Sequence, residues 1–388
     1  MKLLFLSSLC STPLLPNLSP GNARILRALR TIADCRVIIP VFPARHAGAA
    51  GEIPAVEVEQ DGSPIFHPRI FHIPGVARFL NGVFYTLSVA PMVYAEVARF
   101  RPDVILSPWV YPDGTAAVAL GKITGVPVVV RAMGSDINQV AHLRGRRTQV
   151  RWALHHASRV VAVSRALGQA IAALGVPDEK IAVVPTGIEP AIFYPRDRAE
   201  ARATLGLAPG PLVLVAARLS PEKGLLHLLA AMSLAGERCR FRLVVVGDGA
   251  QRRELEQEVR RRGLRDRVRF DGFQPEARMP VYYSAADLLC LPSLAEGWPD
   301  ALMESFACGC PAVASAVGGV PEIVALTGVG LTVPPASPDA LARALEEALA
   351  RDWDRRAIAG AMGSYTLAAT ARRYLDVCQE AIQAKVTT

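Results

Sequence analysis

Short, uninterrupted apolar runs recur along this chain of 388 residues, each followed by a stretch with helical spacing. The runs at 3–6, 36–39, 103–106, 126–130, 159–163 and 181–184 are too short for buried helices, so they read as strands. Helical patterns fall between them at 22–32, 114–124, 148–156 and 165–174. A strand that is apolar on both faces must be covered on both faces, which is the property of a parallel sheet wrapped by helices. The pattern then restarts, with strands at 212–216, 241–246, 268–270, 288–291 and 311–314 and helices at 224–232 and 251–262. Between the two series, Pro185-Thr-Gly-Ile-Glu-Pro190 through Tyr194-Pro195 is rich in proline and aperiodic, as a linker is. The expectation is an α/β protein of two doubly wound, Rossmann-like domains facing each other across a cleft. The first spans 1–187 and the second 188–365. The last helical segment, 366–388, either closes the second domain or crosses back onto the first. Ligands in such sheets bind beyond the carboxyl ends of the strands.

With 51% hydrophobic and 20% charged residues, the chain can fill a core in each domain, which excludes disorder. Thirty Gly and thirty Pro show no repeat period, which excludes collagen and solenoids. The net charge of +8 lies entirely in the first half: residues 1–185 hold 19 Lys+Arg against 11 Asp+Glu, and residues 186–388 hold 24 of each. A basic half implies an anionic partner such as nucleic acid, anionic lipid or a phosphorylated substrate. No aromatic-interleaved basic motif supports nucleic acid. The seven cysteines lack metal-ligand spacing and read as small buried hydrophobes in a reducing compartment. Met1-Lys2 and the apolar run after it resemble a short secretory signal. No small-x-small cleavage site follows, so a first β-strand is expected there. No segment has the 18 uncharged apolar residues of a membrane-spanning helix. Asp352-Trp-Asp354 matches a DxD metal motif, but it lies in a helical region and not after a strand, so it is read as surface acids and no metal is expected.

Three motifs carry chemistry. Arg218-Leu-Ser-Pro-Glu-Lys223-Gly224 follows a strand and opens a helix, so a guanidinium fork and a lysine point charge flank a helix N-terminus, a set that suits a diphosphate. Gly247-Asp-Gly249, at the end of the next strand, lets backbone approach a ligand closely, although the same dipeptide also makes ordinary turns. Glu296-Gly-Trp-Pro-Asp-Ala-Leu-Met-Glu304 puts one carboxylate in a Gly/Pro loop and another some two turns into the following helix. The first can accept from sugar hydroxyls and the second from a ribose diol.

These motifs, in this order and placement, resemble the nucleotide-sugar half of the GT-B glycosyltransferases of family 4. The resemblance extends to Val161-Ala-Val-Ser164, Ile181-Ala-Val-Val-Pro-Thr-Gly-Ile188, Phe193-Tyr-Pro195, Ala307-Cys-Gly-Cys-Pro-Ala-Val-Ala-Ser315 and Val317-Gly-Gly-Val-Pro-Glu-Ile323. It is near complete from about residue 126 to 338 and weaker before that. It implies that Arg218 and Lys223 bind the donor diphosphate and that Glu304 binds the nucleotide ribose. Glu296 and the backbone after it (Gly297, Trp298, Pro299, Asp300, Ala301 and Leu302) would hold the donor sugar. Gly247 and Gly249 would lie near the base, and Gly21 near donor phosphate and acceptor. Met133 stands where the family often carries a His or Arg, and Asp136 or Arg131 is expected to take over that contact.

What the resemblance implies chemically is transfer with retention of configuration, driven by charge stabilisation on a departing diphosphate and needing no metal and no cofactor. The co-substrate is a nucleotide-diphosphate sugar, UDP being the family's commonest carrier. The first domain would take the acceptor, a glycan or lipid-linked hydroxyl, in cell-surface polysaccharide or glycolipid biosynthesis. Residues 137–177 contain no Asp or Glu and include Arg144, Arg146, Arg147 and Arg151, a surface suited to an anionic acceptor or membrane. The expected place of action is the cytoplasm, at the inner face of the plasma membrane. The same arginines are equally a solvated face. A glycosidase would pair Glu296 with Glu304 but has no diphosphate for Arg218 and Lys223 to hold. The remaining alternative is a nucleotide-sugar or carbohydrate-binding protein that keeps the fold with little turnover.

Overall fold

The computed structural model describes residues 1–12, 14–15, 19–42, 53–59, 62–71, 81–139, 143, 145–236 and 238–386. They form two compact units, Met1–Pro185 with Leu367–Thr388, and Thr186–Thr366.

The first unit contains β1 (Lys2–Leu6), α1 (Pro20–Arg30), β2 (Asp34–Ile38), β3 (Val56–Val58), β4 (Pro64–Phe66), α2 (Asn81–Phe100), β5 (Val104–Ser107), α3 (Thr115–Thr124), β6 (Val128–Ala132), α4 (Ser135–Asn138), α5 (Arg146–His156), β7 (Arg159–Ala162), α6 (Arg165–Ala172) and β8 (Ile181–Val183). Among the described residues its sheet has eight strands in the order β3-β4-β2-β1-β5-β6-β7-β8. Only the β3–β4 pair is antiparallel. Chain order reverses between β1 and β5, so the loops that follow these two strands flank the unit's topological switch point. One covering helix is the last in the chain, which we number α15 (Leu367–Val386). Its Leu367, Ala371, Tyr374, Cys378 and Ala381 recur at helical spacing and pack with Leu3, Phe5, Val104, Leu106 and Leu29. Two features are invisible to periodicity. The helix α2 is apolar around much of its circumference and contains Pro91, and β3 and β4 are three residues each. The helix α1 starts two residues before the pattern at 22–32, with Pro20 in the first turn where its missing N–H costs nothing.

The second unit contains α7 (Arg198–Thr204), β9 (Leu212–Ala216), α8 (Leu225–Ala235), β10 (Arg242–Val246), α9 (Arg252–Arg261), β11 (Val268–Gly272), α10 (Met279–Ala285), β12 (Leu288–Leu291), α11 (Asp300–Ala307), β13 (Ala312–Ser315), α12 (Val320–Thr327), β14 (Leu331–Val333), α13 (Pro338–Ala350) and α14 (Arg355–Gly360). The sheet is parallel throughout, in the order β11-β10-β9-β12-β13-β14. Val213, Val215, Leu243, Val245, Leu288, Cys290 and Val313 of the strands pack on Leu225, Leu228, Leu229 and Met232 of α8 and Leu341 and Leu345 of α13. The switch point falls between β9 and β12. Asp352 and Asp354 do not lie in a helix as expected. They sit in the turn before α14, where Asp354 accepts from the N–H groups of Arg356 and Ala357, both at 3.0 Å, as an N-cap.

The charge division follows the units. The first holds 22 Lys+Arg against 13 Asp+Glu, a net of +9, and the second 21 against 22, a net of −1. All seven cysteines are buried and unbridged. Among the described residues no helix is long and apolar enough to cross a membrane.

Candidate functional site

In the second unit the loops after β9, β10, β12 and β13 meet at the carboxyl edge of the sheet, and their glycines make that meeting possible. A Cβ at Gly247 would lie 1.9 Å from the Ala217 carbonyl oxygen, and one at Gly249 would lie 2.3 Å from that of Leu219. The close approach that these glycines permit is to the neighbouring loop. Backbone bonds complete the contact: Leu219 N–H donates to Asp248 O at 2.9 Å and Gln251 N–H to Leu219 O at 3.0 Å. Gly224 has a left-handed φ of 64°, and its Cβ would fall 2.1 Å from Pro292 O, so the turn that opens α8 is pressed against the end of β12.

That contact places Lys223 beside Glu296 across the switch point. Lys223 Nζ donates to Glu296 Oε1 at 2.7 Å, and the Ser293 hydroxyl donates to the same oxygen at 2.7 Å. The side chains are 18% and 8% exposed. A salt bridge this enclosed costs desolvation that its Coulomb energy only partly offsets, so it is poorly explained as a stabilising device. It is well explained as a prepositioned cation. Arg218, on the same turn, is 71% exposed and paired with Glu222 at 3.1 Å. It has room to move toward an anion.

The helix α11 starts at Asp300, and its N-terminus presents a partial positive charge there. The Leu302 side chain is wholly buried, and its N–H donates to Pro299 O at 3.1 Å. Trp298 is buried, and its indole N–H donates to Thr186 O at 3.1 Å. The side chain thus anchors the loop, and only its backbone faces the site. Gly297 O accepts from Gly319 N–H at 3.0 Å. Glu304 starts the second turn of α11, not two turns in. It is 8% exposed, and its Oε2 accepts from the Tyr283 hydroxyl at 2.9 Å. Glu304→Ala should weaken binding of a nucleoside diphosphate about 10- to 100-fold, the worth of hydrogen bonds to a charged group. Glu304→Gln should lose less. Calorimetry decides this, and unchanged affinity in Glu304→Ala would remove the ribose role.

The first-unit candidates turn out differently. Asp136 is fully buried and accepts from the N–H groups of Met133, Gly134 and Ile137 at 2.9–3.2 Å, and from that of Val110 at 3.4 Å. Burial raises its carboxyl above the ordinary value, and these amides oppose the rise. Wholly buried, it ties the β6–α4 turn together through these amides. Arg131 is 3% exposed and donates to Asn22 Oδ1 at 2.8 Å, while Asn22 donates to Leu9 O at 2.5 Å. The two tie β6 to the segment that ends at Gly21, a residue on the first turn of α1.

Asp113 was not singled out from sequence because Tyr111-Pro-Asp-Gly114 reads as an ordinary turn. It is fully buried at the unit's switch point. It accepts from Ser8 N–H at 2.6 Å, from the Ser8 hydroxyl at 3.0 Å and from the Tyr85 hydroxyl. Burial pushes its carboxyl up to about 6, against the pull of the Tyr85 and Ser8 hydrogen bonds. The folded state therefore binds this proton more tightly than the unfolded one. Stability falls as pH rises from about 4 through about 6, by about 3 kcal/mol over the window. Melting curves of the wild type and Asp113→Asn should diverge across that window, with the wild type losing ground as pH rises. Parallel curves would refute the assignment.

Of the basic stretch, Arg144 lies outside the described residues. Arg146 is half-buried, with its guanidinium 5.5 Å from the Tyr111 ring centre. Arg147 is exposed on α5, and Arg151 donates to Leu174 O at 3.2 Å. Arg159 pairs with Glu380 at 3.2 Å, an acid that α15 returns to a stretch with none of its own.

The family model for glycosyl transferases group 1 matches residues 197–362, and that for glycosyltransferase family 4 matches residues 23–192. A 2-deoxystreptamine glucosyltransferase of Streptomyces kanamyceticus is 33% identical over 359 residues, 84% of this chain and 89% of that protein. Among solved structures, sucrose-phosphate synthase from Thermosynechococcus elongatus superposes with a TM-score of 0.79 at 22% identity, covering 100% of both chains. HepE of Anabaena, in complex with UDP, does so with 0.74 at 23% identity, over 97% of this chain and 99% of that one.

Proposed function

This chain belongs to the glycosyl transferases of group 1, with the GT-B fold, and we propose that it moves a hexosyl group from a UDP-sugar to a hydroxyl of an anionic glycan or lipid-linked acceptor, retaining anomeric configuration and using no metal. The observation that carries the reading is the Lys223–Glu296 pair at the switch point of the second sheet. Lys223, with Arg218 swung in from solvent, neutralises charge that grows on the β-phosphate as the bond from the sugar C1 to oxygen breaks. The acceptor oxygen bonds to C1 on the same face, and its proton passes to the departing diphosphate. Among the described residues both contacts to Glu296 use Oε1, which leaves Oε2 for a sugar hydroxyl. Glu304 takes the ribose diol. Preference for UDP is supported by HepE, whose structure holds UDP in the same fold. An anionic acceptor on the first unit, and attachment at the inner face of the plasma membrane, are supported by that unit's net charge of +9.

A panel of UDP-, GDP- and ADP-sugars tests this by donor hydrolysis and by transfer onto polyanionic and neutral glycans. Turnover of a UDP-hexose that survives a chelator, with the product's anomeric signal unchanged in NMR, is the expected result. Tight nucleotide binding with no hydrolysis or transfer would leave only the binding-protein reading. Transfer that stops with chelator, or an inverted anomer, would overturn the proposed mechanism.

A further inference from the structure

The helix α2 turns an apolar stripe to water. Apart from Arg99, its exposed residues are Val83, Leu87, Pro91, Tyr94 and Ala98. At 3.6 residues per turn these five fall within one arc of about 80°, and none is charged. The half-buried Ala90, Val97, Phe84 and Ala95 widen the arc to about 160° without adding a polar side chain. Thr86 and Ser88 border it, and their hydroxyls are already used inside the helix, donating to Gly82 O and Phe84 O at 2.7 Å each. Phe71, itself exposed, extends the stripe sideways. Its ring stands edge-on to that of Phe84 at 5.8 Å, and its N–H donates to Ser88 Oγ at 3.0 Å. Glu96, the only acid of α2, is buried on the opposite side. A covering helix ordinarily sets charged residues on the face that it turns to water. Apolar side chains exposed singly are normal, but a contiguous stripe of them marks an interaction surface.

Charge decides what covers the stripe. From Val83 to Ala98 it runs about 22 Å, the form of a helix that lies flat on a bilayer. Basic residues stand at both of its ends. Arg99 and Arg101 follow it, both exposed. At its start, Gly82 N–H donates to the Tyr111 hydroxyl at 3.1 Å, and the Arg146 guanidinium lies 5.5 Å from that ring's centre, with Arg147 exposed next to it. Attraction to anionic headgroups acts over a Debye length, about 8 Å at physiological salt, so these side chains need no fixed geometry to take part. The same charges oppose a second copy of the chain on this face, because two units of net +9 would be brought together. An anionic bilayer matches both the apolar stripe and the charge around it.

We propose that the outer face of α2 inserts into the boundary between headgroups and acyl chains of an anionic bilayer. This rests on the membrane attachment proposed above from the charge of the first unit, and adds that apolar insertion, not charge alone, holds the protein there. The test is co-sedimentation of the full chain with vesicles of phosphatidylcholine, alone or with about one-third phosphatidylglycerol, at about 150 and about 500 mM NaCl. Binding to the anionic vesicles is expected, weakened by salt but not abolished. Leu87→Glu, at a position 66% exposed, should weaken it at least tenfold with an unchanged melting curve. Leu87→Gln, which adds no charge, should still weaken it severalfold, and it serves alone if Leu87→Glu does not fold. Wild-type binding that both Leu87 variants retain, or that vanishes at the higher salt, would overturn insertion and leave attachment by charge standing. No binding to either kind of vesicle would overturn both. A dimer in sedimentation velocity that Leu87→Glu dissociates would assign the face to a second copy and overturn the proposal.

Discussion

Lys223→Ala is expected to lower turnover by about two to three orders of magnitude while the protein still folds, because a preorganised charged donor is removed from the point where transition-state charge grows. The loss is larger than for an exposed lysine. Glu296, 8% exposed and 2.7 Å from Nζ, would keep its negative charge at the site with no cation to balance it. Lys223→Ala and Glu296→Gln should therefore be strongly non-additive, the double variant being about as slow as Lys223→Ala alone. Arg218→Ala should also cost activity. Among the described residues its guanidinium is tethered only to Glu222, so the melting curve should not move. Steady-state kinetics and melting curves on these four variants settle the matter. Turnover within fivefold of wild type for Lys223→Ala, or fully additive losses in the double variant, would show that the pair is not the diphosphate clamp.

Gly318→Ala is expected to cost about two orders of magnitude in turnover although Gly318 carries no functional group. Its φ is 54°, and a Cβ there would sit 2.0 Å from the Glu296 carbonyl oxygen and 2.8 Å from the carbonyl carbon. Backbone atoms cannot swing aside like a side-chain tip, so the loop carrying Glu296 must move. A displacement of about 1 Å at a reacting centre is enough for a hundredfold loss. Backbone strain adds about 1 to 3 kcal/mol of instability. Gly328→Ala separates the two effects. Gly328 has a similar φ of 64° but nothing within 4 Å of its Cβ, so it should lose stability and keep activity. Equal activity in the two variants would mean that the position of the Glu296 loop does not matter.

Much of the second unit was legible because its signals are local. The strand 212–216 is found at those residues, and the motif after it reads as a turn opening a helix because Ser220, Pro221 and Gly224 each favour one backbone state. Ser293 and Gly318 lay within recognisable segments, yet neither suggested its partner. The bond from Ser293 to Glu296 depends on how one loop folds, and the close approach of Gly318 to Glu296 on how two loops meet. In the first unit, Asp136 was a candidate because it lies three residues after Met133, where the resemblance puts a His or Arg. Only burial shows that four amides consume it. Asp113 was hidden because its partner, Ser8, is 105 residues away, and its segment, Val110–Gly114, forms a π-helical turn that no sequence pattern announced.

The sequence by itself determined two series of buried strands and covering helices, the junction between them, and the residue types gathered after β9 and β12, because apolar periodicity and turn chemistry act over a few residues. It left open which sheet the final helix covers. An amphipathic pattern at 367, 371, 374, 378 and 381 specifies an apolar face but not its partner. The tertiary structure decided that question by burying the face against Leu3, Phe5 and Leu106. It also decided which charges meet. Lys223 and Glu296 are 73 residues apart, and they touch because strand order reverses at β9 and Gly224 lets the two loops close. Pairing of that kind follows from chain topology and excluded volume, and no local pattern records either.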